Sequence, residues 1–420
     1  MTTQDIDARS GRVGDAVAEN SPTSVRWSVP AALFACVLLA FFDKISIAAL
    51  FSDHEFQQAM GIGFDPTRLG LLMSAFLFSY GFSSMLLSGI GDRLNPVKVL
   101  IGMMVTWGVL MVLMGMTRSY HTMMTLRILL GIAEGPLLPM AYAIVRQAFP
   151  QRLQARATML WLLGTPIGAA LGFPVTLFIL SRFNWETTFF FMAFLTVPVM
   201  LLVLFGMRHL NVARPAASTT SKPAVAERKQ LRRELFSTPH FWMICLFNIA
   251  FLTYLWGMNG WLPSYLIEGK GIHLEHAGYL SSLPFIAMLL GEVVGAWLSD
   301  KMDRRALACF ISLCGAGIGL GVVLYMQGTY SVIAAMSFST FMWGAGAPNI
   351  FALLAKATSS RVSATAGGVF NGLGNFAGAL APVLMGALIA ATGNMDNGLL
   401  FLVVMAFVGC AILLPLLNKY

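Results

Sequence analysis

The sequence predicts an all-α membrane protein: twelve transmembrane helices in two six-helix pseudo-symmetric halves. Three observations carry that expectation. Of 420 residues, 57% are hydrophobic and 11% charged, whereas soluble domains carry about 25% charged residues. The apolar runs each approach the roughly 20 residues that cross a bilayer as a helix. One loop pattern occurs twice, half a chain apart.

Residues 1–27 are polar, with Asp5, Asp7, Asp15 and Glu19 beside Arg9 and Arg12, and hold no apolar segment. They read as a cytoplasmic tail, not a cleaved signal peptide. The first half, 28–207, contains apolar runs at 28–51, 69–90, 97–116, 122–145, 155–180 and 187–207. A hydrophilic middle loop, 208–240, follows. The second half, 241–420, contains runs at 241–266, 277–298, 306–326, 331–354, 364–391 and 398–417. Basic residues crowd alternate loops: Arg93 and Lys98, then Arg146, Arg152 and Arg156, then the middle loop, then Lys301, Arg304 and Arg305, then Lys356 and Arg361. The opposite side has Arg68, Arg118, Arg182 and Lys270. The positive-inside rule places both termini in the cytoplasm, which requires an even number of spans. The five cysteines all fall in apolar runs without metal or redox spacing and read as buried thiols.

The repeated loop follows spans 2 and 8. The first copy reads Gly91-Asp92-Arg93-Leu94-Asn95-Pro96, the second Ser299-Asp300-Lys301-Met302-Asp303-Arg304-Arg305. A carboxylate facing a neighbouring helix N-terminus, with a cation beside it, can latch one side of a bundle. Asp92, Arg93, Asp300 and Arg304 are therefore candidate gating residues; the other reading is a solvated turn. Repeated halves are a transporter architecture, with the site between them near the membrane midplane.

Charges inside a membrane are costly and mark function by default. Only Asp43, Lys44, Arg127, Glu134 and Glu292 remain within spans, and no histidine lies deep in one. Any coupled proton must therefore ride on a carboxylate: Glu134 or Asp43, with Glu292 a second proton site or simply a cavity-facing residue. Arg127 and Glu134 are seven residues apart on one face, roughly 10 Å along the axis. Each needs a partner elsewhere or an aqueous cavity. Arg127 is expected to pair with Asp43 or Glu134 in one state and release it in another; a fixed network that only orients helices is the alternative. Tyr80, Trp161, Tyr254, Asn259, Trp343, Asn349, Asn371 and Asn375 could line a polar cavity, though the amides also suit interhelical bonds and the aromatics the membrane interface.

The paired loops resemble the signature of the major facilitator superfamily, with Asn95 in its glycine position. A narrower resemblance, to its anion:cation symporter family, rests on several runs. These are Asp43-Lys44, Gly70 through Gly81, and the series Arg127, Gly131, Glu134-Gly135-Pro136 and Pro139, which is the most specific. Trp261 through Leu266, Gly368, Asn371-Gly372 and Gly374-Asn375 fit as well. Where that family usually has Asp-Arg, this chain has Asp43-Lys44, and lysine cannot make arginine's bidentate fork. The resemblance implies import of a small organic anion, such as a sugar acid, by proton symport. Lys44, with Arg127, would meet the substrate carboxylate; Tyr80, Trp161, Tyr254, Asn371 and Asn375 would complete its site. Glu134 would take the proton.

Nothing reads as an enzyme, a nucleic-acid binder or a metal or cofactor site, and no segment is large enough for a nucleotide-binding domain. The expected partners are a small organic anion, a proton and the lipid bilayer, for a monomer in a bacterial inner membrane. An exporter or exchanger of aromatic or drug-like compounds is the alternative, and a non-transporting sensor a third.

Overall fold

The computed structural model describes residues 27–87, 94–149, 151–208, 210, 230, 233–301, 304–358 and 363–419. The described residues are almost wholly helical. In chain order the helices are α1 (Ser28–Ala49), a short α2 (His54–Ala59), α3 (Pro66–Leu87), α4 (Pro96–Met116), α5 (Tyr120–Glu134), α6 (Leu137–Ala148), α7 (Gln151–Leu162), α8 (Gly164–Arg182) and α9 (Trp185–Met207). Beyond the middle loop come α10 (Pro239–Ser264), α11 (Leu274–Lys301), α12 (Arg305–Tyr325), α13 (Thr329–Ala357), α14 (Ser363–Gly378), α15 (Ala381–Thr392) and α16 (Met395–Leu413). Eleven spans among the described residues are long and apolar enough to cross a membrane. The twelfth is α13, 29 residues long, whose apolarity is diluted by Ser337, Ser339, Thr340 and Asn349.

The halves are built alike. In the first, α3 packs on α5 and α4 on α9; in the second, α11 packs on α13 and α12 on α16. The joints between halves repeat too: α8 meets α11, and α3 meets α14 and α15. The sequence had not shown that α2, capped by the Asp53 carboxylate accepting from Phe56 N at 2.7 Å, interrupts the first loop.

Three expected spans are interrupted at a turn while their junctions keep right-handed helical backbone: span 4 between α5 and α6, span 5 between α7 and α8, span 11 between α14 and α15. Pro136, Pro166 and Pro382 stand at or just past the turns. Proline lacks the N–H that would bond the carbonyl four residues back. In a membrane that carbonyl must find another donor. Ser83 Oγ on α3 donates to Ile132 O at 2.6 Å, and Thr165 Oγ1 donates to Leu162 O at 2.9 Å. Below Pro382, Val383 N donates instead to Ser74 Oγ of α3 at 3.2 Å. Two of these substitutes come from α3, so the turns also tie α3 to its neighbours.

The halves close on one another at the end away from the termini. There Phe51 meets Trp261 at 5.5 Å between ring centroids, and Phe173 meets Phe285 at 5.4 Å. Trp261 Nε1 donates to Pro382 O at 2.8 Å. Gly70 of α3 lies against the backbone of Pro382 and Val383, and Gly386 against that of Pro66. At the opposite end of α3, Phe82, Met85 and Leu86 are exposed.

Candidate functional site

Four of the five predicted intramembrane charges come together in the first half. Asp43 and Lys44 lie deep in α1, Arg127 and Glu134 on α5, and none is more than 2% exposed. Glu134 ends α5, at the proline turn. The four act electrostatically on one another, yet none forms an ion pair within 4 Å among the described residues.

The cations rest on aromatic faces instead. Lys44 Nζ lies 3.6 Å from the centroid of the Tyr80 ring and 4.3 Å from that of Phe41. Arg127 Cζ lies 4.4 Å from the Phe76 ring, and its Nε donates to Leu72 O at 3.4 Å. A ring face attracts a cation, most strongly when desolvated, but it leaves the N–H donors unspent. Among the described residues, Arg127 Nη2 has no hydrogen-bond partner, nor has either carboxylate oxygen of Asp43 or of Glu134. Buried polar groups are normally bonded. These four side chains thus form a cluster of buried, largely unbonded charged groups among the described residues.

The pairing of Arg127 with Asp43 or Glu134, expected for one state, is absent from this one. The aromatic supports Phe41 and Phe76 were missed. Phe76 and Tyr80 stand four apart on α3, facing one way, and that spacing was the available signal.

The remaining candidates fall into different surroundings. Trp161, on α7 beside α1, is buried with its Nε1 unpartnered. Tyr254 is engaged inside the second half: its hydroxyl bonds Ser339 Oγ at 2.6 Å, and its ring stacks toward Trp343. Trp343 Nε1 in turn donates to Phe251 O. Asn375 Nδ2 donates to Asn371 Oδ1 at 2.9 Å, while Trp256 Nε1 donates to Asn375 Oδ1 at 3.2 Å. This amide pair sits on α14, beside α3, where Phe376 meets Phe78 at 4.8 Å. Asn259 is buried with Oδ1 unpartnered, and Asn349 bonds its own helix and Gly295 O of α11. Glu292 is half-buried on α11, apart from the other four, in no ion pair among the described residues. Of the gating candidates, Asp92, Arg93 and the side chain of Asp300 lie outside the described residues; Arg304 is exposed just ahead of α12. A hollow of about 460 Å³ at the closed end, lined by Asp53, His54, Glu55, Arg182 and Glu268 among others, touches none of the four charges.

This architecture, paired halves with a buried charge cluster in the first, is that of a membrane transporter. The Major Facilitator Superfamily profile matches residues 33–382, with a second match over 271–419, and the chain belongs to that family. Its members and the relatives below are transporters, not enzymes. The chain is 26% identical to the "Probable sulfoacetate transporter" of Cupriavidus necator, across 85% of this chain and 86% of that one. It is 24% identical to the "Probable galactarate/D-glucarate transporter" of Escherichia coli, across 92% of each. To the hexuronate transporter of Bacillus subtilis it is 23% identical, across 88% of this chain and 89% of that one. Among solved structures, a bacterial homologue of the human lysosomal transporter Spinster, inward-facing and unoccupied, superposes with a TM-score of 0.80. It has 16% identity over 95% of this chain and 98% of its own. A D-xylose-proton symporter gives 0.76, with 16% identity over 93% and 97%.

Proposed function

We propose that this protein imports a small organic anion, a carboxylate such as a sugar acid, by proton symport with alternating access. The observation that carries the reading is the pair of buried cations, Lys44 and Arg127, held on aromatic faces with no side-chain carboxylate within 4 Å among the described residues. A substrate carboxylate supplies one. Charge-assisted bonds are about twice as strong as neutral ones, so binding is steep in the substrate's charge. Tyr80 and Trp161 flank the anion, while Asn371 and Asn375 face it from the second half. Glu134, with Asp43, takes the proton, and Glu292 is a lesser candidate. Relatives named for sulfoacetate, galactarate, D-glucarate and hexuronate support the substrate class.

Loop charge supports the orientation, with both termini cytoplasmic, and the bacterial sources of the relatives support a bacterial inner membrane. Residues 28–207 and 241–420 then form the two moving halves, with 1–27 and 208–240 on the cytoplasmic side. The closed end faces outward, so this conformation opens inward. Asp92, Arg93, Asp300 and Arg304 latch the inner side in the opposite state.

The test is uptake into proteoliposomes under an imposed inward proton gradient. Gradient-driven uptake of an organic anion is expected. Lys44→Ala is expected to lower it about 10- to 100-fold at low substrate, the worth of a charge-assisted bond. Glu134→Gln is expected to abolish accumulation but spare exchange of internal for external anion. Uptake indifferent to the gradient and to both substitutions would sink the mechanism.

Closure itself is testable at Gly70. A tryptophan there cannot coexist with the Pro382 backbone, so Gly70→Trp is expected to hold the outer end open. A cysteine replacing the nearby buried Met73, in a cysteine-free background, should then react several-fold faster with an impermeant maleimide from outside. Unchanged reactivity would mean this end does not open.

A further inference from the structure

We propose that the protein carries a monoanion together with a single proton, electroneutrally, and rejects dianions; this rests on the symport reading above. The inference comes from how charge is divided between the halves. All four buried charges of the site belong to α1 and α5 of the first half. Across from them, the spans of the second half carry one charged side chain between their end turns, Glu292, and no cation at all. What the second half presents beside α3 is aromatic and amide: Trp256, Phe376, Asn371 and Asn375. The amides are already bonded to one another and to Trp256. A substrate whose carboxylate lies on Lys44 and Arg127 therefore puts its far end against an uncharged surface. Hydroxyl or apolar groups are received there, but a second carboxylate would be desolvated with no cation to meet it, which is prohibitive at membrane depth.

The charge count inside the site agrees. With both carboxylates ionised, two cations and two carboxylates balance and the empty site is neutral. One proton on a carboxylate leaves a single positive charge, and one monoanion cancels it. The groups facing Glu134 are Cys36, Asp43 and Lys44 from α1, Tyr80 from α3 and Arg127 from its own helix. The thiol and phenol are neutral in both states and leave the count unchanged. Both states that must cross the membrane, empty and fully loaded, thus carry no net charge at the four-residue site. Proton alone or anion alone leaves one uncompensated charge in the site, and that disfavours slippage. A dianion would need a second proton to reach neutrality, and its second carboxylate would still face the uncharged half.

The experiment uses the full chain in proteoliposomes and two matched pairs of acids. D-galactonate and galactarate differ by a terminal CH2OH in place of a carboxylate, as do isethionate and sulfoacetate. Internal pH is followed with a trapped dye, and a potassium gradient with valinomycin sets the membrane potential independently. At least one monoanion is expected to enter with one proton per anion, at least tenfold faster than its dianionic partner, and at a rate that an inside-negative potential changes less than twofold. Entry of a dianion as fast as its partner overturns the inference while leaving organic-anion symport standing. So does a several-fold stimulation of monoanion entry by the potential, since it means more than one proton per anion. If no acid of either pair drives proton entry, the symport reading fails and the inference falls with it.

Discussion

Arg127→Gln is expected to reduce anion uptake by roughly two to three orders of magnitude without unfolding the protein. The guanidinium is fully buried, stacked on Phe76 and bonded through Nε to Leu72 O. With it gone, Asp43 and Glu134 share one remaining cation, Lys44. Removing one member of a buried charge cluster costs about 3–5 kcal/mol through the charge left uncompensated, and each 1.4 kcal/mol is tenfold in an equilibrium constant. The carboxylates can answer by holding protons, which spares the fold but removes the vacant proton site on which coupling depends. Arg127→Lys separates charge from geometry. It restores the cation but not the planar face on Phe76 or the Nε bond, so it should recover only part of the activity. Initial uptake rates beside thermal unfolding midpoints check this. A glutamine variant that transports near the wild-type rate would remove Arg127 from the site.

The elements that were legible in the sequence were those governed by one-dimensional rules. Hydropathy finds the twelve spans because charge is excluded from lipid, and the scarcity of intramembrane charge singles out Asp43, Lys44, Arg127 and Glu134. The structure brings those four together although they are far apart in the chain. What stayed hidden depends on neighbours across helices. Pro136 is plain in the sequence, but that the carbonyl it frees, Ile132 O, is claimed by Ser83 of α3 is not. The aromatic seats of the cations are similar: a lone basic residue suggests an acidic partner, and only the packing of α1 and α5 on α3 shows Tyr80 and Phe76 in that place. Tyr254 shows the converse. Its hydroxyl looked available for ligand and is bonded to Ser339, a residue 85 positions away.

The dependence of the site on α3 leads to the second large effect. Gly131 on α5 and Gly135 just past its end, four residues apart, lie directly on the backbone of α3, Gly131 along Phe76 to Tyr80 and Gly135 along Tyr80 to Ser84. Such small-residue pairs let membrane helices approach closely, and packing there supplies what the hydrophobic effect cannot supply within lipid. A Cβ at 131 would meet Phe76 O and Ser79 Oγ, and Tyr80 N at 3.0 Å. Backbone cannot swing aside as a flexible side chain does, so Gly131→Leu must push α5 off α3. Overpacking of this kind costs about 1–3 kcal/mol or more. The displaced segment of α3 carries Phe76 and Tyr80, the seats of Arg127 and Lys44, so transport should fail well before folding does. Gly321→Leu is the control: the position has nothing within 4 Å, and both stability and uptake should stay near wild type. Measured by thermal unfolding and initial uptake rate, Gly131→Leu is expected to lose at least a hundredfold in transport with a lowered midpoint. If it behaves like the control, α5 and α3 do not hold the site by backbone contact.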